Sequence, residues 1–98
     1  DFYESGHPVP QDVFFLIEIA ESSFDYDRNI KLPLYAKNGI TETWIVNLDE
    51  NRLEIYRKPT GERYSDILTI EKHDIKTIFS PLAFPEIEMT IKDIFPFN

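Results

Sequence analysis

A single acid inside an apolar segment is the first residue of this sequence that could carry chemistry. Glu18 interrupts the run DVFFLIEIA at 12–20, which is apolar at both odd and even positions. Such a run predicts a central strand covered on both faces. A carboxylate buried there needs a cation, a hydrogen-bond donor or solvent. Because α/β sheets place their sites at the carboxyl ends of parallel strands, Glu18 is a candidate site residue. The alternatives are a strand end that emerges into water and a structural ion pair.

A lysine on the following predicted helix is the second candidate. Asp27, Lys31 and Tyr35 are spaced i, i+4 and i+8, so they share one helical face. If that face looks toward Glu18, an ammonium and a carboxylate meet above one strand end. The alternative is a surface lysine paired with Asp27, which contributes only about 0.2–0.5 kcal/mol.

A second carboxylate for a metal is harder to find. Asp12 precedes Glu18 by six positions on the same predicted strand, which separates the two by roughly 20 Å at about 3.3 Å per residue. One ion cannot bridge that distance. Asp25 and Asp27 are nearer, but they suit the positive end of the helix dipole.

The remaining polar residues give weaker signals. His7 and His73 are isolated from each other and from acidic pairs at ligand spacing, which favours surface or loop positions over metal ligands. Trp44 alternates with Val46 and is predicted to pack in the core. Four basic residues cluster around the predicted hairpin and the next turn. They could contact a phosphate backbone, but we favour the interpretation that they are solvated surface residues. They are Arg52, Arg57, Lys58 and Arg63.

Composition limits the class of protein. The chain has 98 residues, of which 42% are apolar, enough for one modest core. The absence of cysteine excludes disulfides, thiolate zinc sites and a cysteine nucleophile. The longest apolar run, 13–17, is too short to span a membrane, and these 98 residues contain no apolar region typical of a signal peptide, so we expect a soluble, cytoplasmic protein. The net charge of −8 disfavours non-specific nucleic-acid binding by this chain alone, and the acidic excess in the half that contains Glu18 suits a divalent cation.

The pattern predicts one partial domain over 1–98, in three parts. Residues 1–11 form a loop, and residues 12–48 form a strand–helix–strand core with strands at 12–20 and 42–48. The helix at 24–38 is kinked or restarted at Pro33 and stopped at Asn38-Gly39. Residues 49–98 form hairpins and a short last helix through Phe95, with strands at 52–57, 64–70 and 74–79. The fold class is therefore α/β or α+β, with a right-handed βαβ unit in a mixed sheet.

One stretch resembles a known family. The sequence VFFLIEIAESSFDYDRNIKLPLYAKNGITETWIVNLDENRLEIYR, with FPEIEMTIKDIF near the end, is similar to the Uma-type putative restriction endonuclease family of the PD-(D/E)xK nuclease superfamily. The features that carry the likeness are Glu18-Ile19-Ala20-Glu21-Ser22, Asp27-Arg28, Lys31, Tyr35, Gly39, Glu42 and Trp44-Ile45-Val46.

The resemblance implies a restriction-endonuclease-like fold and a metal-dependent DNA endonuclease. Glu18 corresponds to the acid of the (D/E)xK element. The lysine of that element is absent, because Ala20 stands two positions after Glu18. The resemblance implies that this lysine is relocated to the following helix, where it corresponds to Lys31. Mg²⁺, or alternatively Mn²⁺, is then held by Glu18, by the carbonyl of Ile19 and by an aspartate expected upstream of Asp1. That placement predicts that the chain is the C-terminal part of a longer domain and that it is inactive by itself.

Two further hypotheses come from other classes. The chain could be a non-catalytic remnant that uses the same fold as a binding module, which the net charge favours. It could also be an interaction domain whose exposed sheet edge pairs with a partner or with a second copy as a homodimer.

Overall fold

The computed structural model describes residues 15–21 and 27–96, with only the backbone at Asp27. These residues form a four-stranded sheet in the order β1-β2-β3-β4. Strands β1 and β2 are parallel, and the other two pairings are antiparallel, which confirms the predicted mixed α+β class. The strands are β1 (Phe15–Ala20), β2 (Glu42–Asn47), β3 (Arg52–Thr60) and β4 (Arg63–Glu71). The predictions for 1–14, including His7 and Asp12, and for Asp25 lie outside the described residues.

The connection between the parallel strands contains two kinds of helix rather than one. A π-helical turn (Asp27–Lys31) leads directly into helix α1 (Leu32–Lys37). Pro33 has no N–H, so it cannot make the usual bond to the fourth residue before it, but it is tolerated in the first turn of α1. The restart expected at Pro33 is therefore present. Gly39, at φ 74°, follows the helix and donates its N–H to Ala36 at 3.0 Å, as the stop signal predicted.

Apolar side chains form one cluster on each face of the sheet. On one face Trp44, 0% exposed, packs against Leu53, Ile55 and Phe79. On the other face Leu32 and Ala36 of α1 pack with a second set, which consists of Ala20, Ile45, Tyr56 and Tyr64. The prediction that Trp44 lies in the core is confirmed.

The strand buried on both faces is β2, not β1. All six residues of β2 are buried. Among the described strands β1 lies at one end of the sheet, and Ile17 and Ile19 are 50% and 66% exposed. The prediction of a doubly covered first strand is therefore wrong for the part of the chain that the structure describes, because α1 covers only the face that carries Glu18 and Ala20.

The last third of the chain is mostly irregular. The predicted strand at 74–79 is wrong, since only Phe79 pairs, in an isolated bridge with Met89. The short last helix α2 (Ile91–Ile94) is present, and the Asp93 carboxylate accepts the Thr90 N–H at 2.9 Å. None of the helices in the described ranges is long and apolar enough to cross a membrane.

Candidate active site

The structure brings Glu18 and Lys31 together. Glu18 lies on β1, two residues before the strand ends at Ala20, and Lys31 is the last residue of the π-helical turn. The Lys31 Nζ lies 3.5 Å from Glu18 Oε1, with the two side chains 36% and 24% exposed respectively. The face that carries Lys31 therefore looks toward Glu18, and the alternative pairing with Asp27 concerns a side chain outside the described part of the structure. The carboxylate is neither sealed from water nor fully exposed to it.

Tyr35 completes the immediate surroundings of the carboxylate. Its hydroxyl donates to Glu18 Oε2 at 2.5 Å. Tyr35 follows Lys31 by four residues, so the two side chains lie on the same side of the helical segment. Each oxygen of Glu18 thus has a partner from this segment, and the carboxylate holds the segment against the sheet.

The carbonyl of Ile19 is expected to point in the opposite direction from the carbonyl of Ala20. The Ala20 carbonyl accepts the Leu48 N–H at 2.9 Å, just beyond β2. Alternate residues of a parallel strand bond to the same neighbour, so we expect the Ile19 carbonyl to point away from β2. That side is the end of the sheet in the described part of the chain.

The oxygen donors suit a hard cation but do not form a complete cage. No cluster of three or more acidic, histidine or cysteine side chains that could hold a metal occurs within residues 15–21 and 27–96. Mg²⁺ in proteins usually binds through one or two carboxylates and keeps several water molecules. Glu18 and the Ile19 carbonyl therefore fit a partial Mg²⁺ site.

A second carboxylate lies on the same face of the sheet, and the sequence did not reveal it. Glu54 of β3 is paired with Ile45, which is itself paired with Glu18. Cross-strand partners share a face, so Glu18 and Glu54 are in one row, two strands apart. Glu54 is 1% exposed.

Both oxygens of Glu54 are satisfied by other side chains. Arg28 Nη2 donates to Oε2 at 2.6 Å, and the Tyr56 hydroxyl donates to Oε1. Burial and the hydrogen bond to Glu54 raise the pKa of Tyr56. Partial burial alone lowers the pKa of Arg28, but the hydrogen bond to Glu54 and the nearby negative charge raise it overall. The cluster is therefore a phenol and a guanidinium that both donate hydrogen bonds to one buried carboxylate.

A cavity of about 430 Å³ adjoins this cluster on the side of β4. Its walls include Arg28, Glu54 and Tyr56, together with Ile67 and Thr69 of β4. The π-helical turn and β3 thus border an open space about two strands away from Glu18.

A second buried carboxylate lies on the opposite face of the sheet. Glu42 is 0% exposed and accepts Arg57 Nε at 2.7 Å and Trp44 Nε1 at 2.8 Å through the same oxygen. Its other oxygen accepts the Leu82 N–H at 2.8 Å, and Arg57 also donates to the Ser80 carbonyl at 2.7 Å. Glu42 therefore ties the loop at 80–82 to the sheet, which is a structural role.

The basic residues around the hairpins do not form one patch. Arg57 is directed to Glu42, whereas Arg52 is paired with Glu50 at 2.9 Å and with Glu71 at 3.6 Å. His73 is exposed, as expected for a loop position.

The buried acids could have been suspected from the sequence, because Glu42 and Glu54 each stand next to alternating apolar residues in predicted strands.

The comparisons with known proteins give one result. A family model described as "Uma2: Putative restriction endonuclease" matches residues 2–92. No curated protein matches the chain.

Proposed function

Because the chain belongs to the Uma2 family of putative restriction endonucleases, we propose that it carries part of the site of a metal-dependent DNA endonuclease. The observation that carries the proposal is the 3.5 Å contact between Lys31 Nζ and Glu18 Oε1. It supports Lys31 as the relocated lysine of a (D/E)xK-type site. The substrate is a phosphodiester bond of DNA.

The proposed reaction is hydrolysis. Water forms a bond to phosphorus while the bond to the leaving oxygen breaks, which leaves a phosphate monoester and a hydroxyl. Glu18 and the Ile19 carbonyl would hold Mg²⁺, or Mn²⁺ in its place, and the bound ion would supply positive charge for phosphate binding and for lowering the pKa of the attacking water. The ammonium of Lys31 orients that water and stabilises the charge that develops on the phosphoryl oxygens.

The proposal includes a second acidic ligand. The family resemblance places an aspartate upstream of Asp1, and one carboxylate with one carbonyl is a small ligand set for Mg²⁺. We therefore expect the 98-residue chain to have little activity, and a form extended along the upstream reading frame to have more. A strand that ends in Pro-Asp upstream of Asp1 supports this, whereas a stop codon there counts against it.

Nicking of supercoiled plasmid DNA by the extended form in the presence of Mg²⁺ tests the proposal, and Glu18→Gln is expected to abolish the nicking. Glu62→Gln is the matched control, because Glu62 also pairs with a lysine of the same helical segment, Lys37, at 4.0 Å. Activity that EDTA does not remove, or that survives Glu18→Gln, contradicts the assignment.

One observation favours a second candidate, a non-catalytic interaction module. Ile17 and Ile19 are half or more exposed on a strand at the end of the described sheet, where another chain could pair. This alternative predicts no Mg²⁺-dependent nicking by the extended form and a sedimentation coefficient that rises with concentration. Metal-dependent cleavage by the extended form favours the endonuclease instead.

A further inference from the structure

The π-helical turn contains two cations that reach two carboxylates of the same sheet face. Arg28 pairs with Glu54 on β3, and Lys31, three residues later, pairs with Glu18 on β1. The two carboxylates are two strands apart, which is roughly 10 Å at about 4.8 Å per strand. A short turn fixed at two such points has a defined position along and across the sheet.

The two contacts are unequal. The Lys31–Glu18 pair is 3.5 Å long, and both of its side chains are partly exposed. Exposed pairs of this kind hold a side chain weakly. The Arg28–Glu54 contact is 2.6 Å long. The Arg28 side chain is 43% exposed, but the acceptor side chain is only 2% exposed. The stronger anchor of the turn is therefore the one farther from Glu18.

The local backbone makes such an anchor necessary. π-Helical geometry is rare and occurs mostly as single turns, frequently at functional sites. The turn ends where Pro33 removes a hydrogen-bond donor from the next turn of helix. Side-chain contacts to the sheet consequently have a larger share in fixing Asp27–Lys31 than they would in a regular α-helix.

Glu54 has no other evident use in the site. Both of its oxygens are occupied, by Arg28 and by the Tyr56 hydroxyl, and Tyr56 itself packs with the buried side chains under α1. Burying a carboxylate lowers the stability of a fold unless the carboxylate is paired. We therefore expect the pairing of Glu54 with Arg28 to have a structural purpose.

We propose that Glu54 is a positioning residue: by holding Arg28 it fixes the π-helical turn and thereby places the Lys31 ammonium at Glu18. The turn itself is a property of this chain. The consequence for catalysis rests on the proposed function.

The first test measures the turn without any activity assay. In the folded chain, amide hydrogen exchange reports the stability of the turn, and the side-chain ammonium NMR signal of Lys31 reports its contact with Glu18. Glu54→Gln is expected to speed exchange at Asn29–Leu32 at least tenfold and to move the Lys31 signal toward that of the exposed Lys37. Glu42→Gln is the matched control, since it removes the charge from another buried glutamate–arginine pair on the opposite face. It is expected to lower the melting temperature but to leave both signals of the turn unchanged.

The outcomes separate a positioning role from general destabilisation. Equal effects of the two variants on the turn, or no effect of Glu54→Gln, overturn the proposal. If Glu54→Gln does not fold, Arg28→Gln replaces it, because the Arg28 side chain is 43% exposed. Unchanged exchange at Asn29–Leu32 in that variant overturns the proposal in the same way.

The second test connects the turn to catalysis. In a form that nicks DNA, Glu54→Gln is expected to lower kcat at least tenfold and to change KM by less than threefold, since it misplaces Lys31 without removing a group that holds DNA. Absence of nicking by the wild type contradicts the proposed function but leaves the first test valid. Nicking with an unchanged kcat in Glu54→Gln contradicts the positioning role and leaves the endonuclease proposal standing.

Discussion

The hydroxyl of Tyr35 lies 2.5 Å from Oε2 of Glu18. This contact joins helix α1 to strand β1, which precedes it in the chain. The other carboxylate oxygen is contacted by Lys31. A metal bound at Glu18 must therefore share an oxygen with one of these groups or displace it. The carboxylate holds the helical segment, and under the proposed function it would also be a metal ligand.

Tyr35→Phe is expected to lower the free energy of unfolding by about 1–2 kcal/mol, since it removes one hydrogen bond to a charged, partly exposed acceptor. In a domain of this size, 1 kcal/mol corresponds to a fall of about 4–8 °C in melting temperature. Thermal unfolding followed by circular dichroism measures the change. Tyr64→Phe is the comparison, because its hydroxyl contacts Thr43 and the Ile40 carbonyl in a buried setting. A loss for Tyr35→Phe that exceeds the loss for Tyr64→Phe contradicts this account.

Glu42→Ala is expected to cost about 3–5 kcal/mol of unfolding free energy, because it leaves the Arg57 guanidinium without its buried partner. It also removes the acceptor of the Leu82 N–H, so cleavage by a protease near Leu82 should become faster. Urea denaturation and limited proteolysis measure the two effects. Glu50→Ala is the control, since Glu50 is 55% exposed and pairs with Arg52 at the surface, where such pairs contribute at most about 1 kcal/mol. Similar losses in both variants would show that Glu42 has no special role.

Local patterns in the sequence were sufficient for the parts of the fold that depend on neighbouring residues. The stop at Asn38-Gly39 and the hairpins follow from turn chemistry. Helical spacing placed Lys31 and Tyr35 on one face, but it left open whether that face looks toward Glu18. The strand predicted at 74–79 failed because alternation alone does not supply a partner. Ile75 and Ile78 are 48% and 62% exposed and pair with no strand of the described sheet.

The contacts that sequence spacing could not supply are the long-range ones. Arg28 and Glu54 are separated by 26 positions, and they meet only because the register places Glu54 in the row that contains Glu18. Arg57 and Ser80 are separated by 23 positions, and their contact depends on the path of an irregular loop. The strand period of two residues and the helix period of 3.6 residues describe local patterns, so neither predicts these two contacts.

The stability of the fold is expected to fall above about pH 10, where tyrosine ionises in unfolded chains. Burial raises the pKa of both Tyr56 and Tyr64 in the folded state. As the pH passes 10 the unfolded state therefore loses protons that the folded state keeps, and the free energy of unfolding decreases by up to about 1.4 kcal/mol per pH unit for each tyrosine. Below that pH both states are protonated, and these two residues cause no slope. Urea midpoints from pH 8 to 11.5 measure the effect, and Tyr56→Phe should make the alkaline slope shallower. An unchanged slope in that variant would show that Tyr56 ionises equally in both states.

Lys31→Met separates chemistry from stability. The Lys31–Glu18 pair is partly exposed at 3.5 Å, so its loss is expected to change the free energy of unfolding by less than about 1 kcal/mol. In a form that nicks DNA, the same substitution is expected to lower the rate at least 100-fold, because under the proposed function it removes the charge that stabilises the reacting phosphate. Lys37→Met is the matched control on the same helical segment, since Lys37 pairs with the exposed Glu62 at 4.0 Å. It should leave both rate and stability nearly unchanged. Equal rates for the two variants would remove Lys31 from the reaction and leave its contact with Glu18 as an ordinary ion pair.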